Sequence, residues 1–300
     1  MKILLIGREG QVAYELRRTL ACLGEVVALD RRTALRADLA DPASLRAAVL
    51  RVQPALIVNA GAYTAVDKAE QEGELAFRVN GEAPGVLAEA ALSVDAGLIH
   101  YSTDYVFPGD AETPYAEDDP LGPLSAYGRS KLAGEEAIRQ VNPPHLILRT
   151  AWVYGRRGQN FLLTMLRLMR EREALRVVAD QHGAPTWSRL IAEATAALIA
   201  RATFECRFEP AELSGTYHLT SDGCTTWHDF AARIRALGIA QGLLTETCAR
   251  LEPIPTSGYP TPAHRPAFSV LSNSKLRDKF DLALPDWEAG LALCMEEMRG

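Results

Sequence analysis

The sequence predicts an α/β fold in which a doubly wound parallel sheet carries a smaller carboxyl-terminal α+β portion. Short apolar runs alternate with helical patterns through the first half of the 300-residue chain. The runs have strand length and no charge in their interior, which is typical of strands buried on both faces of a parallel sheet. Beyond about residue 150 prolines and irregular polar segments become more frequent, so the second half is expected to have a different architecture.

Five strands are predicted, with helices between them. The strands are KILLI (2–6), EVVAL (25–29), ALIVNA (55–60), GLIHYS (97–102) and HLILR (145–149). The first helix has one apolar face, made by Val12, Leu16, Leu20 and Leu23. Asp41 and Pro42 are a typical N-cap and first-turn pair for the next helix. Later helical stretches are expected at 187–201 and 226–236.

Composition and charge exclude several classes of protein. The net charge is -6 and no long basic stripe is present, which argues against a nucleic-acid partner. No apolar run reaches the length of a transmembrane helix, and MKILLI is stopped by Gly7 too early for a signal peptide. Five scattered cysteines without CxxC spacing argue against disulfides and zinc. We therefore expect a cytoplasmic protein with a small-molecule substrate and no membrane partner.

A glycine-rich turn follows the first strand and opens the first helix, in the stretch GREGQVA (7–13). Gly7 can form the tight turn, Gly10 lets the backbone approach a pyrophosphate, and Gln11 and Val12 begin the helix whose amino terminus favours phosphate charge. Ala13 stands at the third glycine position. Because the motif lies between a predicted strand and helix, it predicts a Rossmann-type site for a dinucleotide rather than a purely structural turn.

Acidic and loop residues complete the predicted cofactor site. Asp30 ends the second strand and is expected to bind the ribose hydroxyls of adenosine, which favours NADH. Two arginines follow at once and could hold a 2′-phosphate, so NADPH is expected to be accepted as well. Further cofactor contacts are expected from two loops at the same edge, namely Asp38, Leu39, Ala62, Tyr63 and Thr64. For Asp38, the role of a helix-flanking acid fits the sequence equally well.

A tyrosine and a lysine four residues apart mark the predicted chemical end of the site. On a helix Tyr127 and Lys131 share one face, so phenol and ammonium point the same way. The positive charge is expected to lower the pKa of the phenol and to make it a usable proton donor or acceptor. Thr103 ends a predicted strand at the same sheet edge. The Tyr127–Lys131 spacing and the position of Thr103 are each weak signals alone. Together with the glycine turn they are specific for a dinucleotide-dependent active site.

Taken together, GREGQVA, STDYVFPG, YGRSKLAGE, RTAWVYG and DQHGAPT resemble the extended short-chain dehydrogenase/reductase family. The resemblance covers essentially the whole chain and implies reduction of the C4 keto group of a dTDP-4-keto-6-deoxy sugar by NADH or NADPH. It implies that Tyr127 donates the proton, that Thr103 hydrogen-bonds the carbonyl oxygen and that Lys131 holds both Tyr127 and the cofactor ribose. Further substrate contacts are implied for Asp104, Trp152, Asn160 and Arg265.

The resemblance also sets limits and leaves alternatives open. Some family members join a dimer through Mg²⁺ bound by acidic residues; Glu15 matches one of them, but Arg189 stands where another is expected. We therefore predict no metal site, and a homodimer stays open. A 4,6-dehydratase needs a second carboxylate where Tyr105 stands. A 4-epimerase, a reductase of another 4-keto sugar and a non-catalytic dinucleotide-binding subunit remain alternatives.

The polar stretch IHYSTDYVF (99–107) is expected to form only one wall of the site. Successive side chains of a strand point to opposite faces, so its polar residues cannot all reach one ligand. His100, Tyr101 and Tyr105 are expected to be structural or to support the residues that touch the substrate. The first domain is predicted over 1–150, and residues 151–300 are expected to bind mainly the nucleotide sugar, with some segments returning to the first domain.

Overall fold

A computed structural model describes residues 1–205 and 207–298. Cys206, one of the five cysteines, lies outside them. The strands are β1 (Lys2–Ile6), β2 (Glu25–Leu29), β3 (Leu56–Asn59), β4 (Gly97–Thr103), β5 (His145–Thr150), β6 (Val153–Tyr154), β7 (Ala174–Val178), β8 (His182–Gly183), β9 (Thr186–Trp187), β10 (Thr203–Phe204), β11 (Arg207–Phe208), β12 (Gly215–His218), β13 (Thr225–Thr226) and β14 (Arg250–Ile254).

The α-helices alternate with the long strands and then dominate the second half. They are α1 (Gln11–Thr19), α2 (Pro42–Val52), α3 (Val66–Ala69), α4 (Gly73–Phe77), α5 (Ala83–Ser93), α6 (Ala126–Val141), α7 (Phe161–Glu171), α8 (Ser188–Arg201), α9 (Trp227–Ala240), α10 (Ser274–Phe280) and α11 (Trp287–Glu296). No helix in the described part of the chain is both long and apolar enough to cross a bilayer.

The main sheet has the order β12-β5-β4-β3-β1-β2, and all its neighbouring strands run parallel. The predicted doubly wound parallel sheet is therefore confirmed, and all five predicted strands lie within it. The strand order reverses at β1, which has β2 on one side and β3 on the other. In such sheets ligands bind beyond the carboxyl ends of the strands at this switch point, so the fold places the cofactor candidate there.

Both faces of the sheet are covered by helices. Alternate residues of β1 enter different cores: Ile3 and Leu5 face α1, α8 and α10, whereas Leu4 and Ile6 face α2, α5 and α6. This explains why the strands are apolar without alternation. Two of the covering helices, α8 and α10, and the edge strand β12 come from beyond residue 150. The second half of the chain thus contributes to the sheet domain as well as to the smaller portion.

The smaller portion has its own core, built by α7, α9 and α11 with the parallel pair β7 and β14. Phe230, Ile234 and Leu291 are fully buried in it. Its first helix meets the sheet domain where Asn160 donates from its side chain to Gln11, at 2.9 Å. Because Gln11 begins α1, this contact joins the smaller portion to the carboxyl edge of the sheet, and the boundary between the two parts is called the cleft below.

The ends of α1 and α2 follow from their sequence. Asp41 caps α2, since its carboxylate accepts the backbone N–H groups of Ala43 at 3.1 Å and Ser44 at 3.3 Å, and Pro42 occupies the first turn as predicted. The first helix tightens into a 3₁₀ turn after Thr19, and Gly24 then leads directly into β2. These short connections keep β1, β2 and β3 adjacent and bring their carboxyl ends together.

Candidate active site

The glycine turn after β1 has the geometry that a dinucleotide requires. Gly7 has a φ of 103°, which favours glycine, and its N–H donates to the carbonyl of Leu29 at 2.8 Å. A Cβ atom on Gly7 would lie 3.3 Å from the nitrogen of Gly61. Gly10 is the N-cap of α1, and a Cβ atom there would meet open space. This open space before a helix amino terminus fits a pyrophosphate, so the residues present suit the dinucleotide.

The other two predicted residues of this turn lie on α1. Gln11 accepts from Asn160, and its side-chain amide also donates to the carbonyl of Val153 at 3.4 Å. Val12 packs against the core beneath the sheet. Gln11 therefore joins the end of the glycine turn to Val153 and Asn160, while Val12 holds the helix to the core.

Asp30 lies directly after β2, but part of its carboxylate already shapes the following turn. One of its oxygens accepts the N–H groups of Arg32 at 2.7 Å and Thr33 at 3.1 Å. Among the described residues, the other oxygen has no hydrogen-bond donor. The predicted role of Asp30 toward the adenosine ribose stays a prediction, and this second oxygen is the one that could accept from the ribose hydroxyls.

Asp38 is engaged locally. It accepts the N–H of Ala40 at 3.0 Å and forms an ion pair with Arg36 at 2.5 Å. The hydrogen bond from Arg36 holds the pKa of Asp38 below its ordinary value. Leu39 packs closely over Gly61, with its side chain 2.8 Å from where a Cβ atom of that glycine would lie. Asp38 thus shapes the loop, and Leu39 covers the adjoining edge of β3.

The loop after β3 is tied to α6 through an asparagine that the sequence reasoning missed. Asn80 accepts the N–H of Tyr63 at 2.8 Å and donates to its carbonyl at 3.0 Å. The same amide donates to the hydroxyl of Ser130 on α6 at 3.0 Å. Ala62 and Thr64, on either side of Tyr63, are exposed at the loop surface. Asn80 therefore sets the distance between the predicted cofactor loop and the helix of Tyr127.

Tyr127 and Lys131 project from α6 toward the end of β4. Ser125 caps the helix by accepting the N–H of Gly128 at 3.1 Å. A Cβ atom on Gly128 would lie 2.3 Å from the carbonyl oxygen of Tyr105, so only glycine permits this close approach. The first turn of α6 is thereby pressed against the loop after β4. Both side chains reach the end of β4, Lys131 at Tyr101 and Tyr127 at Thr103, and their catalytic roles stay predictions.

The pKa of Tyr127 differs from the sequence prediction. As a whole residue Tyr127 is partly exposed, but its hydroxyl is surrounded by protein. Burial raises the pKa of this phenol above its ordinary value, while a hydrogen bond with Thr103 opposes the rise. The expectation that Lys131 lowers the pKa of Tyr127 is wrong, because burial outweighs the effects that lower it and Lys131 is not among the groups that act on it. The nitrogen of Lys131 donates to the carbonyl of Tyr101 at 2.6 Å. A phenol with a raised pKa stays protonated and is suited to donate a proton.

Thr103 and Asp104 form a buried pair beside Tyr127. The hydroxyl of Thr103 donates to one oxygen of Asp104 at 2.9 Å and accepts the N–H of Tyr105 at 3.3 Å. The other oxygen of Asp104 is buried and has no hydrogen-bond partner among the described residues. Burial raises the pKa of Asp104 to about 6, although hydrogen bonds with Ser269 and Thr103 oppose the rise. This unpaired oxygen is a ready acceptor for a ligand hydroxyl.

Trp152 lies across the cleft in a strained conformation. Its φ of 46° is in the left-handed region, which is unusual for a bulky residue. The indole stacks on Trp227, with the ring centroids 3.5 Å apart and the planes 4° from parallel. A Cβ atom on Gly183 would lie 2.3 Å from the indole, so that glycine gives it room. Strain of this kind is maintained by the surrounding packing and is common at ligand-binding sites.

Arg265 and Asn160 reach the cleft from different sides. Arg265 forms an ion pair with Asp67 at 2.8 Å and donates to the hydroxyl of Tyr105 at 3.3 Å. It therefore joins α3 to the turn after β4, where the ring of Tyr105 lies against Tyr127. Asn160 caps α7 by accepting the N–H of Leu163 at 3.0 Å, and its amide is turned to Gln11. The structure thus places Asn160 at the glycine turn rather than beside Tyr127.

The acidic residue considered for a metal is paired with cations. Arg189 lies 3.9 Å from Glu15 and 3.6 Å from Glu193, and it also contacts Glu297. Glu15 pairs with Arg18 as well, at 2.6 Å. No cluster of three or more potential metal-ligating side chains occurs in the described part of the chain. The guanidinium of Arg189 takes the place where a cation would sit among these carboxylates.

The site also contains groups whose role the sequence did not reveal. Asn80 hydrogen-bonds Tyr63, and Ser269 hydrogen-bonds Asp104. In each pair the two residues are far apart in the sequence, and no local motif marks them. Asn59 was visible as the one polar residue inside an apolar strand run. It contacts His100, which was expected to have a supporting role. A polar residue at the carboxyl end of a buried strand was therefore the signal that could have found Asn59.

Comparison with known proteins matches the whole chain. Residues 1–299 match the family model described as RmlD substrate binding domain. The chain is 51% identical over 299 residues to a dTDP-4-dehydrorhamnose reductase of Burkholderia thailandensis, covering 99% of each. It is 46% identical to the enzyme of that name from Salmonella typhimurium, covering 99% of this chain and 98% of the other. The crystal structure of dTDP-4-dehydrorhamnose reductase from Bacillus anthracis in complex with NADP superimposes with a TM-score of 0.88, at 32% identity and 99% coverage of both chains.

Proposed function

The chain belongs to the RmlD substrate binding domain family, and from that premise we propose that it reduces the C4 keto group of dTDP-4-dehydro-β-L-rhamnose with NADPH or NADH. The product is dTDP-β-L-rhamnose, which serves the synthesis of cell-envelope polysaccharide. One observation carries the proposal: Tyr127, Lys131 and Thr103 meet at the strand end next to a dinucleotide turn. This occurs in a chain that is similar to such reductases over its full length.

The cofactor, when bound, supplies the hydride for C4 of the sugar. As the carbonyl oxygen gains negative charge, Tyr127 donates its proton to that oxygen. The raised pKa of Tyr127 supports this role, because the phenol is protonated over the whole neutral range. The resemblance to these reductases assigns Lys131 to the cofactor ribose and to the placement of Tyr127; in this structure its buried nitrogen contacts Tyr101 and His100.

Thr103 can stabilise the same oxygen only after a small rearrangement. A hydroxyl has a single proton, and that of Thr103 is donated to Asp104. When the sugar binds, a sugar hydroxyl that donates to Asp104 replaces this contact, and Thr103 turns to the carbonyl oxygen. We propose that the exchange couples recognition of the sugar to polarisation of its carbonyl.

The remaining predicted residues are assigned to the nucleotide sugar and its surroundings. Trp152 offers an aromatic surface to the sugar, and Arg265 offers a guanidinium to the diphosphate. Asn160 supports the boundary between cofactor and sugar through Gln11. The alternatives are a reductase of another 4-keto sugar, a 4-epimerase and a non-catalytic subunit. A 4,6-dehydratase is disfavoured because Tyr105 replaces the second carboxylate that elimination needs.

An assay of the purified protein with the dTDP-4-keto sugar and reduced nicotinamide tests the function. We expect one cofactor oxidised for each sugar reduced, measured by absorbance together with chromatography of the sugar nucleotide. A protein that retains NAD⁺ and interconverts 4-hydroxy sugars without net cofactor consumption would be an epimerase. Comparable kcat/KM values are expected for NADH and NADPH, and a preference for NADPH above about a hundredfold would contradict the role of Asp30.

We also propose that the enzyme acts in the cytoplasm and can form a homodimer without a bridging metal. The support for metal independence is the guanidinium of Arg189 among the carboxylates of Glu15, Glu193 and Glu297. Light scattering in the presence and absence of a chelator measures whether the dimer persists without divalent ions. A dimer that dissociates when divalent ions are removed would contradict it.

A further inference from the structure

Three buried polar side chains form a row of contacts beneath the cleft. Asn59, His100 and Lys131 are exposed by only 1%, 1% and 2% of their surface. The side-chain amide nitrogen of Asn59 lies 3.0 Å from Nδ1 of His100, and Nε2 of the same ring lies 3.2 Å from Nζ of Lys131. Asn59 lies on β3, His100 on β4 and Lys131 on α6. The row of contacts therefore connects the strand next to β1 with the helix of Tyr127.

The orientation of Asn59 is determined by the backbone. Its side-chain oxygen accepts the N–H of Gly61 at 3.3 Å. A backbone N–H can only donate, so the oxygen of the amide must face Gly61 and its NH₂ must face His100. That NH₂ is itself only a donor, and Nδ1 of His100 therefore has to be the acceptor. A neutral imidazole with Nδ1 unprotonated carries its proton on Nε2.

His100 is neutral in the folded protein. Burial lowers the pKa of His100 well below its ordinary value, and the charge of Lys131 acts in the same direction. The Nε2–H group of the ring is consequently directed at Lys131. An amine nitrogen can accept this proton, whereas an ammonium offers only donors and would face a second donor at 3.2 Å. The pair Asn59–His100 therefore disfavours the protonated form of Lys131.

Other groups around Lys131 do not compensate for this. Burial lowers its pKa to about 8, and the charge of Glu135, one turn further along α6, opposes that. Glu135 is itself neutralised by Arg149 and Arg139, at 2.8 Å and 3.0 Å. The turn before α5 contributes Asn80, whose uncharged amide donates to the hydroxyl of Ser130 on α6. From β4, the carbonyl of Tyr101 accepts from Lys131 in either state of the lysine. The orientation of His100 is thus the contact that distinguishes amine from ammonium.

We propose that Asn59 and His100 are positioning residues that set the proton state of Lys131, by holding the imidazole in the Nε2–H form against the lysine nitrogen. The consequence for catalysis rests on the proposed reductase function, in which the ammonium of Lys131 is assigned to the cofactor ribose. Activity is then limited at alkaline pH by loss of this ammonium. If the proton of the His100 ring is moved from Nε2 to Nδ1, Nε2 can accept from the ammonium, and activity should extend to higher pH.

Nitrogen-15 NMR of histidine-labelled protein tests the imidazole without any assay of activity. The two neutral tautomers of histidine give different ¹⁵N shifts and ring-proton couplings. The His100 signals are identified among the six histidines by their loss in His100→Gln. We expect the Nε2–H form in the wild-type protein at neutral pH. An Nδ1–H form or an imidazolium there would overturn the proposal even if the enzyme reduces the sugar as expected.

Asn59→Asp reverses the imidazole with little change in side-chain size. One oxygen of the new carboxylate can still accept from Gly61, while the other accepts from Nδ1–H of His100 and leaves Nε2 as an acceptor for the ammonium. His100→Gln is the second variant, because its amide oxygen can accept from Lys131 without the negative charge that Asn59→Asp adds nearby. In both variants the pKa of the alkaline limb of the kcat/KM profile should move to higher pH by about one unit or more. His145→Gln, a buried histidine at the amino-terminal end of β5, is the matched control and should leave the limb unchanged.

The dissociation constant of NADPH, measured by fluorescence from about pH 6 to about pH 10, gives a second readout of Lys131. Its alkaline weakening should move in parallel with the kcat/KM limb in both variants. If the wild-type protein binds NADPH but does not reduce the 4-keto sugar, the proposed function fails while the NMR and binding tests still decide this inference. A reversed imidazole in Asn59→Asp with an unshifted alkaline limb in both readouts would overturn it.

Discussion

The helix that carries Tyr127 and Lys131 is anchored by a buried ion pair, and removing one partner should destabilise the protein strongly. Glu135 on α6 accepts from Nε of Arg149 at 2.9 Å and from a terminal nitrogen of Arg149 at 2.8 Å. The side chains are exposed by 0% and 2%. Two buried hydrogen bonds between charged groups contribute about 1.5–3 kcal/mol each, and unpairing a buried ion pair costs about 3–5 kcal/mol. Glu135→Leu should therefore lower the free energy of unfolding by about 3–5 kcal/mol.

Arg139 also contacts Glu135, but it is 38% exposed and can turn to water, so it adds little to this cost. The double variant Glu135→Leu with Arg149→Met removes both charges and should recover most of the loss, because an apolar pair can replace a buried ion pair. Urea unfolding followed by circular dichroism measures all three proteins. A double variant as unstable as the single one would refute the reasoning that an unpaired buried charge causes the loss.

The pH dependence of this difference has a definite sign. Burial acts to raise the pKa of Glu135, yet the hydrogen bonds and charge of Arg149 outweigh it and lower the pKa below the ordinary value. A carboxylate with a lowered pKa stabilises the folded state above its unfolded pKa of about 4.3. That contribution is lost as the pH falls through the folded pKa. The wild-type protein and Glu135→Leu should therefore differ most at neutral pH and converge in acid.

Three further outcomes test separate parts of the structure. Burial raises the pKa of Asp104 to about 6, so kcat/KM should fall as the pH drops through this value and its carboxylate is protonated. Asp104→Asn should lack that acid limb, and a limb that persists in the variant would assign it to another group. Gly183→Ala pushes a methyl group into Trp152 and should lower kcat/KM for the sugar about 10- to 100-fold, with NADPH binding unchanged; normal kinetics would show that the indole does not contact the sugar. Asp41→Ala removes the cap of α2 and should cost about 1 kcal/mol in urea unfolding, whereas an unchanged midpoint would mean that the cap is dispensable.

Much of the sheet could be predicted because its strands are uniformly apolar. A strand buried on both faces appears in the sequence as an unbroken apolar run, and β1, β3, β4 and β5 have this character. The edge strand β2 is only partly buried, but its run is apolar after Glu25. The edge strand β12 was missed, since GTYH is short and half polar. Its pairing with β5 joins residues far apart in the sequence. Which segments after residue 150 return to the sheet is decided by such tertiary contacts and not by local patterns.

The site was predictable where helical or strand spacing fixes direction. The four-residue spacing of Tyr127 and Lys131 requires a shared face on α6, and the structure has it. The pKa of Tyr127 was not predictable, because it depends on burial by surrounding segments. The pairing of Thr103 with Asp104 was visible as adjacency in sequence, but its hydrogen bond was not. The role of His100 depends on the orientation of Asn59, which only the folded backbone determines.

Turnover of Tyr127→Phe tests the central claim most directly, because the variant keeps the aromatic ring and removes only the hydroxyl. With the dTDP-4-keto sugar and NADPH, its kcat should fall about 10²- to 10⁴-fold, while the dissociation constant of NADPH measured by fluorescence stays close to that of the wild-type protein. Turnover equal to wild type would contradict the assignment of Tyr127 as the proton donor and, with it, the proposed mechanism of reduction.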